Sequence, residues 1–210
     1  MLINTYLSLA VAVILAVPAA THAQKTVPRD GVGVTYHKNR QVSARKSYKN
    51  GKLNGPYETY FKTGQLWKRG TYKDGKRDGA LEEYYKNGQL KYKEFFKDGK
   101  KHGPIVWYFE NGELSQKGAL RDGRKDGLWK HYHFNGKLRS KESYKDGMSH
   151  GTVEKYYKDG RPQSKGTFKN SKKEGVFEEY HTNGQLMKRE TFKGGNKEGL
   201  FERYYDNGQL

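Results

Sequence analysis

The sequence predicts an all-β protein built of 24-residue β-hairpin repeats, each of two short strands and two turns. Three observations carry this. Glycine recurs without a slip at Gly55, Gly79, Gly103, Gly127, Gly151, Gly175 and Gly199, each 24 residues from the last. Tyrosine keeps the same interval at Tyr60, Tyr84, Tyr108, Tyr132, Tyr156, Tyr180 and Tyr204. Two turn signals then divide each unit, one of the type Asn87-Gly88 or Asn111-Gly112, the other of the type Asp74-Gly75 or Asp98-Gly99. Such pairs between short apolar-polar runs are the strongest local mark of a hairpin. A helix is excluded because glycine returns about every 8 to 12 residues, at roughly 1 kcal/mol per interior glycine, and no 3.6-residue apolar period survives between the turns.

The elements follow in order. Residues 1–23 read MLINTYLSLAVAVILAVPAATHA, an apolar run interrupted by Pro18 and closed by a small-x-small site before Gln24. This is the pattern of a secretory signal peptide cleaved after Ala23, and the run is short of the ~20 residues a bilayer span needs. Residues 24–30 read as a linker and 31–54 as a degenerate first repeat, with Tyr36, Val42, Tyr48 and Gly51 in register. Residues 55–210 hold six full repeats and one half unit. Reading Thr63-Gly64 and Asn87-Gly88 as two-residue turns with positive φ at both positions puts Lys62 opposite Gln65, Glu58 opposite Arg69 and Tyr57 opposite Gly70. The same arithmetic sets Glu82 against Lys93, Glu154 against Lys165 and Glu178 against Arg189, while Lys130 meets Lys141. The apolar stripe of Tyr57, Phe61, Leu66 and Tyr72, repeated at Leu81, Tyr85, Leu90 and Phe96, is the expected core.

Composition bounds the function. The 210 residues carry 41 Lys+Arg against 23 Asp+Glu, a net charge of +18, and only 33% apolar residues. That balance belongs to disordered chains, yet 17 Tyr, 9 Phe and 3 Trp require an ordered lattice to hold them. The absence of cysteine excludes a disulfide scaffold, a thiol nucleophile and any Cys-ligated metal. No P-loop, nucleophile elbow or dinucleotide-binding fingerprint is present, and a lone sheet has no deep cleft in which to shift a catalytic pKa. An enzyme is not expected, and neither a cofactor nor a metal is expected; His131 and His133 form an H-x-H without a third ligand.

The run GALEEYYKNGQLKYKEFFKDGKKHG, from Gly79 to Gly103, resembles the MORN-variant repeat, the type found in the YwqK-like antitoxin family of bacterial toxin–antitoxin modules. The likeness extends from Gly31 to Leu210. It implies a solenoid of stacked hairpins forming a single elongated, twisted antiparallel sheet, and a non-enzymatic role in binding proteins or membrane surfaces.

Two basic rows are the candidate binding face. One runs Arg45, Arg69, Lys93, Lys117, Lys141, Lys165 and Arg189, the other Lys49, Lys73, Lys97, Arg121, Lys145, Lys169 and Lys193. Strand parity places both on one side, together with the Tyr60 series. Such a track can bind a polyanion; equally, it can be solvated charge that keeps sheet edges from pairing. Trp67, Trp107 and Trp129, with the Tyr60 series, can stack on sugars or nucleobases, or they are the aromatic ladder by which a thin sheet holds itself together, the reading preferred for most of them; Trp67 and Trp107 stand where other repeats have no tryptophan and are the leading candidate partner contacts, with Trp129 beside them. Protein recognition is therefore one expectation, with a toxin, an envelope scaffold or an adhesion partner in view. The alternative is an anionic envelope surface of phospholipid, lipopolysaccharide or acidic glycan; nucleic acid is not expected. The signal peptide implies a periplasmic, envelope-associated or secreted protein, and the open C-terminal edge offers a route to self-association.

Overall fold

The computed structural model describes residues 28–210; the signal peptide expected over residues 1–23 and the first part of the linker expected over 24–30 lie outside them. Fifteen strands follow one another: β1 (Gly31–Tyr36), β2 (Val42–Lys49), β3 (Lys52–Tyr60), β4 (Leu66–Lys73) and β5 (Lys76–Tyr84). Then come β6 (Leu90–Lys97), β7 (Lys100–Tyr108), β8 (Leu114–Arg121), β9 (Arg124–Tyr132) and β10 (Leu138–Lys145). The series ends with β11 (Met148–Tyr156), β12 (Pro162–Lys169), β13 (Lys172–Tyr180), β14 (Leu186–Lys193) and β15 (Asn196–Arg203). They form one antiparallel meander in strict chain order, with no helix among the described residues. The expected sheet of consecutive hairpins is what the chain adopts, and it runs unbroken from Gly31 through the degenerate first repeat.

The two kinds of turn differ from expectation in an instructive way. Positive φ at both central positions belongs to the Asp-Gly set, as at Asp74 (48°) and Gly75 (82°), so these are the tight two-residue turns, flanked by the pair Lys73 and Lys76. In the Asn-Gly set only the glycine is left-handed, as at Gly88 (85°). There the Tyr85 amide donates to the Gln89 carbonyl (2.8 Å) and the Gly88 amide to the Tyr85 carbonyl (3.0 Å), a three-residue loop ending in a left-handed glycine. The asparagine stays right-handed because its Oδ1 accepts the Gln89 amide at 3.0 Å. Consequently Lys62 does not face Gln65; the Phe61 amide bonds the Gln65 carbonyl instead. The extra loop residue is offset by a one-residue bulge in the following strand, between the pairs Thr59↔Lys68 and Tyr60↔Leu66. Past the bulge, Glu58↔Arg69, Glu82↔Lys93, Glu154↔Lys165 and Glu178↔Arg189 pair as expected, as do Lys130 and Lys141.

The core is thin and one-sided. Tyr57, Leu81 and Phe96 form its best-packed cluster, backed by Tyr72 and Tyr92, whereas Phe61, Leu66, Tyr85 and Leu90 sit beside the loops and bulges and stay half-buried. The row at 24-residue intervals continues through Ile105, Trp129 and Val153. Opposite this row the sequence alternates Gly70, Glu94, Gly118, Glu142, Gly166 and Glu190. Glycine stands where a ring lies flat on the neighbouring strand: a Cβ on Gly118 would come 2.3 Å from the Trp129 ring, and one on Gly166 2.4 Å from Phe177. With no second layer to cover the sheet, these rings bury themselves against bare backbone.

Gly118→Ala should therefore cost about 1–3 kcal/mol, the usual penalty for forcing atoms into a filled site. Urea denaturation followed by tryptophan fluorescence measures it, and an unchanged midpoint would show that Trp129 does not need the glycine.

Candidate functional site

On one face, here the charged face, β3 to β15 present carboxylates between basic residues. Glu82 on β5 is held by Arg69 of β4 (2.6 Å) and Lys93 of β6 (3.0 Å), and the Tyr84 hydroxyl two residues on donates to it at 2.6 Å. Glu178 repeats the arrangement with Lys165 (2.8 Å), Arg189 (3.0 Å) and Tyr180 (2.5 Å). Lys141 reaches Glu154 at 2.7 Å, and Arg189 reaches Glu202 at 3.1 Å. Burial works against the charged forms of Glu82 and Glu178, but hydrogen bonds from the flanking lysine, arginine and tyrosine outweigh it and hold both at about 2. Burial and the Glu82 hydrogen bond push the Tyr84 phenol up to about 12. Arg69, Lys93, Lys141, Lys165 and Arg189 are thus occupied by the sheet itself; among the described residues Arg45, which faces Glu58 in register, and Lys117 make no ion pair.

The second basic row has a different setting. Lys73, Lys97, Lys145 and Lys169 are exposed on strand ends at the tight turns, and among the described residues no carboxylate comes within 4.0 Å of them. Arg121 does have a partner, Asp126 at 2.7 Å. The hairpin register adds a row that the one-dimensional pattern did not single out. Lys52, Lys76, Lys100, Arg124 and Lys172 lie directly opposite Lys49, Lys73, Lys97, Arg121 and Lys169. Like charges meeting across strands are locally unfavourable. Here they recur along one long edge, about 9.5 Å apart at every second strand given the usual strand spacing, with breaks where Lys145 faces Met148 and Lys193 faces Asn196.

The tryptophans do not join this surface as a group. Trp107 shares a strand face with Ile105 and stacks on Tyr92 with ring centroids 4.6 Å apart. Trp129 is 3% exposed, and its Nε1 donates to the Ala119 carbonyl at 3.1 Å. Both lie on the core face, opposite the basic rows. Placing them with Arg69 and Lys73 on one candidate face is corrected accordingly: bulky residues in variable positions are here fillings of the thin core. Trp67 alone is well exposed, at 38%, with the Lys68 ammonium 4.3 Å from its ring centroid.

The core face also carries cations of its own. Lys125 lies over Trp129 and Tyr144, Lys173 over Phe177 and Phe192, while Lys101 and Lys197 pair with the buried Glu94 (2.7 Å) and Glu190 (2.6 Å). Glu83, between Lys68 and Lys91, is likewise held at about 2: its burial is outweighed by hydrogen bonds from Lys68, Tyr92 and Lys91. Of the two histidines, His131 stacks beside Trp129, and burial lowers its pKa; His133 Nε2 sits 3.0 Å from the Tyr156 carbonyl of the next repeat. No group of three or more potential metal ligands is found among the described residues.

The sheet and its period correspond to a known family. The MORN repeat variant model matches residues 53–74, 77–98, 101–119, 125–146, 149–170, 173–193 and 197–210, more than half of the chain, and the chain belongs to that family. Its repeat is a non-enzymatic type that commonly serves as a protein- or membrane-binding module. No curated protein matches the chain.

The carboxylates give a pH dependence with a definite sign. Glu82, Glu83 and Glu178 titrate at about 2 in the fold against an ordinary 4.5, so the unfolded chain takes up protons first as pH falls. Their contribution is complete above about pH 4.5 and is lost as pH falls from there towards 2. Calorimetric melting temperatures should descend through that window, and the Glu82→Gln, Glu178→Gln double variant should flatten the descent; an unchanged profile would mean that these pairs contribute nothing.

Proposed function

We propose that this protein is a non-catalytic, exported binding repeat that docks on an anionic envelope surface through the double row of cations at its tight turns. The observation that carries the reading is the opposition of like charges at Lys73↔Lys76, Lys97↔Lys100 and their equivalents. The charged face neutralises most of its basic row with glutamates, whereas the turn edge sets cation against cation beside the turn aspartates, with ion pairs among the described residues only at Arg121 (Asp126, 2.7 Å) and Lys193 (Glu198, 4.0 Å). A multivalent anion, such as a phospholipid surface, lipopolysaccharide or an acidic glycan, supplies what this edge lacks. The leader of residues 1–23, cleaved after Ala23, accords with a periplasmic, envelope-associated or secreted setting.

A second reading is protein recognition, in an antitoxin-like, scaffold or adhesion role. It is favoured by the exposed side chains of Trp67, Leu128 (48%) and Val176 (50%), apolar groups that the sheet leaves uncovered.

The two are separated by co-sedimentation with phosphatidylcholine vesicles, with and without phosphatidylglycerol. Binding to the anionic vesicles alone, and release near 0.5 M salt where screening lengths shrink to a few ångströms, is expected. At about 1 kcal/mol per basic residue near a charged surface, reversing Lys73, Lys97, Lys145 and Lys169 to Glu should weaken binding by roughly a thousandfold or more. Equal binding to neutral vesicles, or an unaffected quadruple variant, would sink the anionic-surface reading.

A further inference from the structure

The charged face has one interruption. Its carboxylate row runs Glu58, Glu82, Val106, Lys130, Glu154, Glu178 and Glu202, so two adjacent repeats lack the acid that the others carry. Val106 stands between Lys93 and Lys117, and Lys130 between Lys117 and Lys141. Lys117 is consequently the one member of its row, from Arg69 to Arg189, with no carboxylate directly opposite it on either neighbouring strand. Three lysines, Lys117, Lys130 and Lys141, lie side by side across β8, β9 and β10, and only Lys141 has an acidic partner, Glu154 at 2.7 Å. The tyrosines change with them. Tyr60, Tyr84, Tyr156 and Tyr180 each donate to the glutamate two residues before them. Tyr108 and Tyr132 have Val106 and Lys130 in that place.

We propose that this gap is a binding site for an external carboxylate, presented by an acidic segment of a partner protein and seated between Lys117 and Lys130 beside the Tyr108 and Tyr132 hydroxyls. The neighbouring repeats supply the template. Glu82 and Glu178 show that a carboxylate in this position is held by a cation from each flanking strand and by one phenol. The gap keeps the cations and the phenols and removes the acid. Adding Lys130 in place of an acid makes the opposition of like charges worse, so the sheet stores an unfavourable contact that a guest carboxylate relieves. Leu128, two residues before Lys130 on the same strand and 48% exposed, gives an apolar neighbour to the peptide that carries the acid. A carboxylate is preferred over a phosphate because it is the group the same lattice already accommodates. The site lies on the sheet's charged face rather than on the turn edge, and it does not depend on the anionic-surface reading.

The test uses the purified protein and a fluorescein-labelled hexaglutamate peptide, followed by anisotropy. Lys130→Glu places an internal acid between Lys117 and Lys141, beside Tyr132; Val106→Glu does the same between Lys93 and Lys117, beside Tyr108. Each should raise the melting temperature and weaken peptide binding at least tenfold, because the protein then fills its own site. Lys86→Glu, at an exposed loop position outside both basic rows, changes net charge as much as Lys130→Glu does and should alter binding less than twofold and leave the melting temperature unraised. Equal weakening by Lys86→Glu and Lys130→Glu would show that the peptide only senses overall charge, and would overturn the site. A fall in melting temperature for both Val106→Glu and Lys130→Glu would do the same. Displacement of the peptide by inorganic phosphate at concentrations where acetate has no effect would overturn the assignment to a carboxylate.

Discussion

Everything in this molecule depends on the fact that a single sheet has no second layer to cover it. In an ordinary domain two layers share a core, and burial between them supplies most of the favourable free energy. Here no described side chain is completely buried, so cohesion has to come from strand to strand within the sheet. The ties between successive hairpins show how. At the tight-turn edge the Gly75 amide donates to the Leu53 carbonyl at 2.7 Å, and the equivalent bond recurs at Gly99, Gly123 and Gly147. At the other edge the Tyr85 hydroxyl donates to the Tyr108 carbonyl (2.8 Å) and Asn87 Nδ2 to the Glu110 carbonyl (2.9 Å). These bonds span one repeat each. A unit one residue longer or shorter would break both sets at once, which is the physical reason the 24-residue spacing never slips.

The same constraint explains the composition. Rows of cross-strand ion pairs allow a chain with 33% apolar residues and a net charge of +18 to fold. Exposed pairs are individually weak, of the order of 0–1 kcal/mol, but Glu82 and Glu178 each gather two cations and a phenol. The aromatic side chains do the apolar part of the work by lying on glycine: Trp129 on Gly118, Phe177 on Gly166, Tyr57 on Gly70. Glutamate takes the intervening positions at Glu94, Glu142 and Glu190, so the core face has a period of two repeats beneath the obvious period of one.

How much of this could be read from the sequence is clear from particular residues. The pairing of Glu58 with Arg69 followed from assuming a two-residue loop at Thr63-Gly64. The loop has three residues, and the pairing survives because the bulge in β4 shifts register back by one. Propensity rules see the Asn-Gly signal but not the compensating bulge, which depends on the ties to the next hairpin. The face of Trp107 and Trp129 was hidden for a related reason: a variable position reads as surface, whereas in a one-layer core the variable residue is the one that fits its neighbour, Tyr92 or Gly118. The second row of turn cations, Lys76 and its equivalents, emerged only once the register showed what stands opposite Lys73.

A repeat array carries its own controls, and this bears on which residues deserve a functional role. A position occupied in the same way in every unit is accounted for by what it does for the sheet. The Tyr60 series bonds the acid row, the left-handed glycines close the turns, and most of the Arg69 row neutralises glutamate. Structure alone selects those residues. Where one or two units depart from the pattern without a compensating change, the sheet gives no reason for the departure. Val106 and Lys130 are such a case, since the cations and tyrosines around them are those of the other repeats while the acid they surround is gone. Trp67, exposed where Lys91, Ser115 and Met187 stand in other units, is a second. In a lattice this regular, the chemistry that remains unpaired marks the positions where something other than the chain itself has to complete the contact.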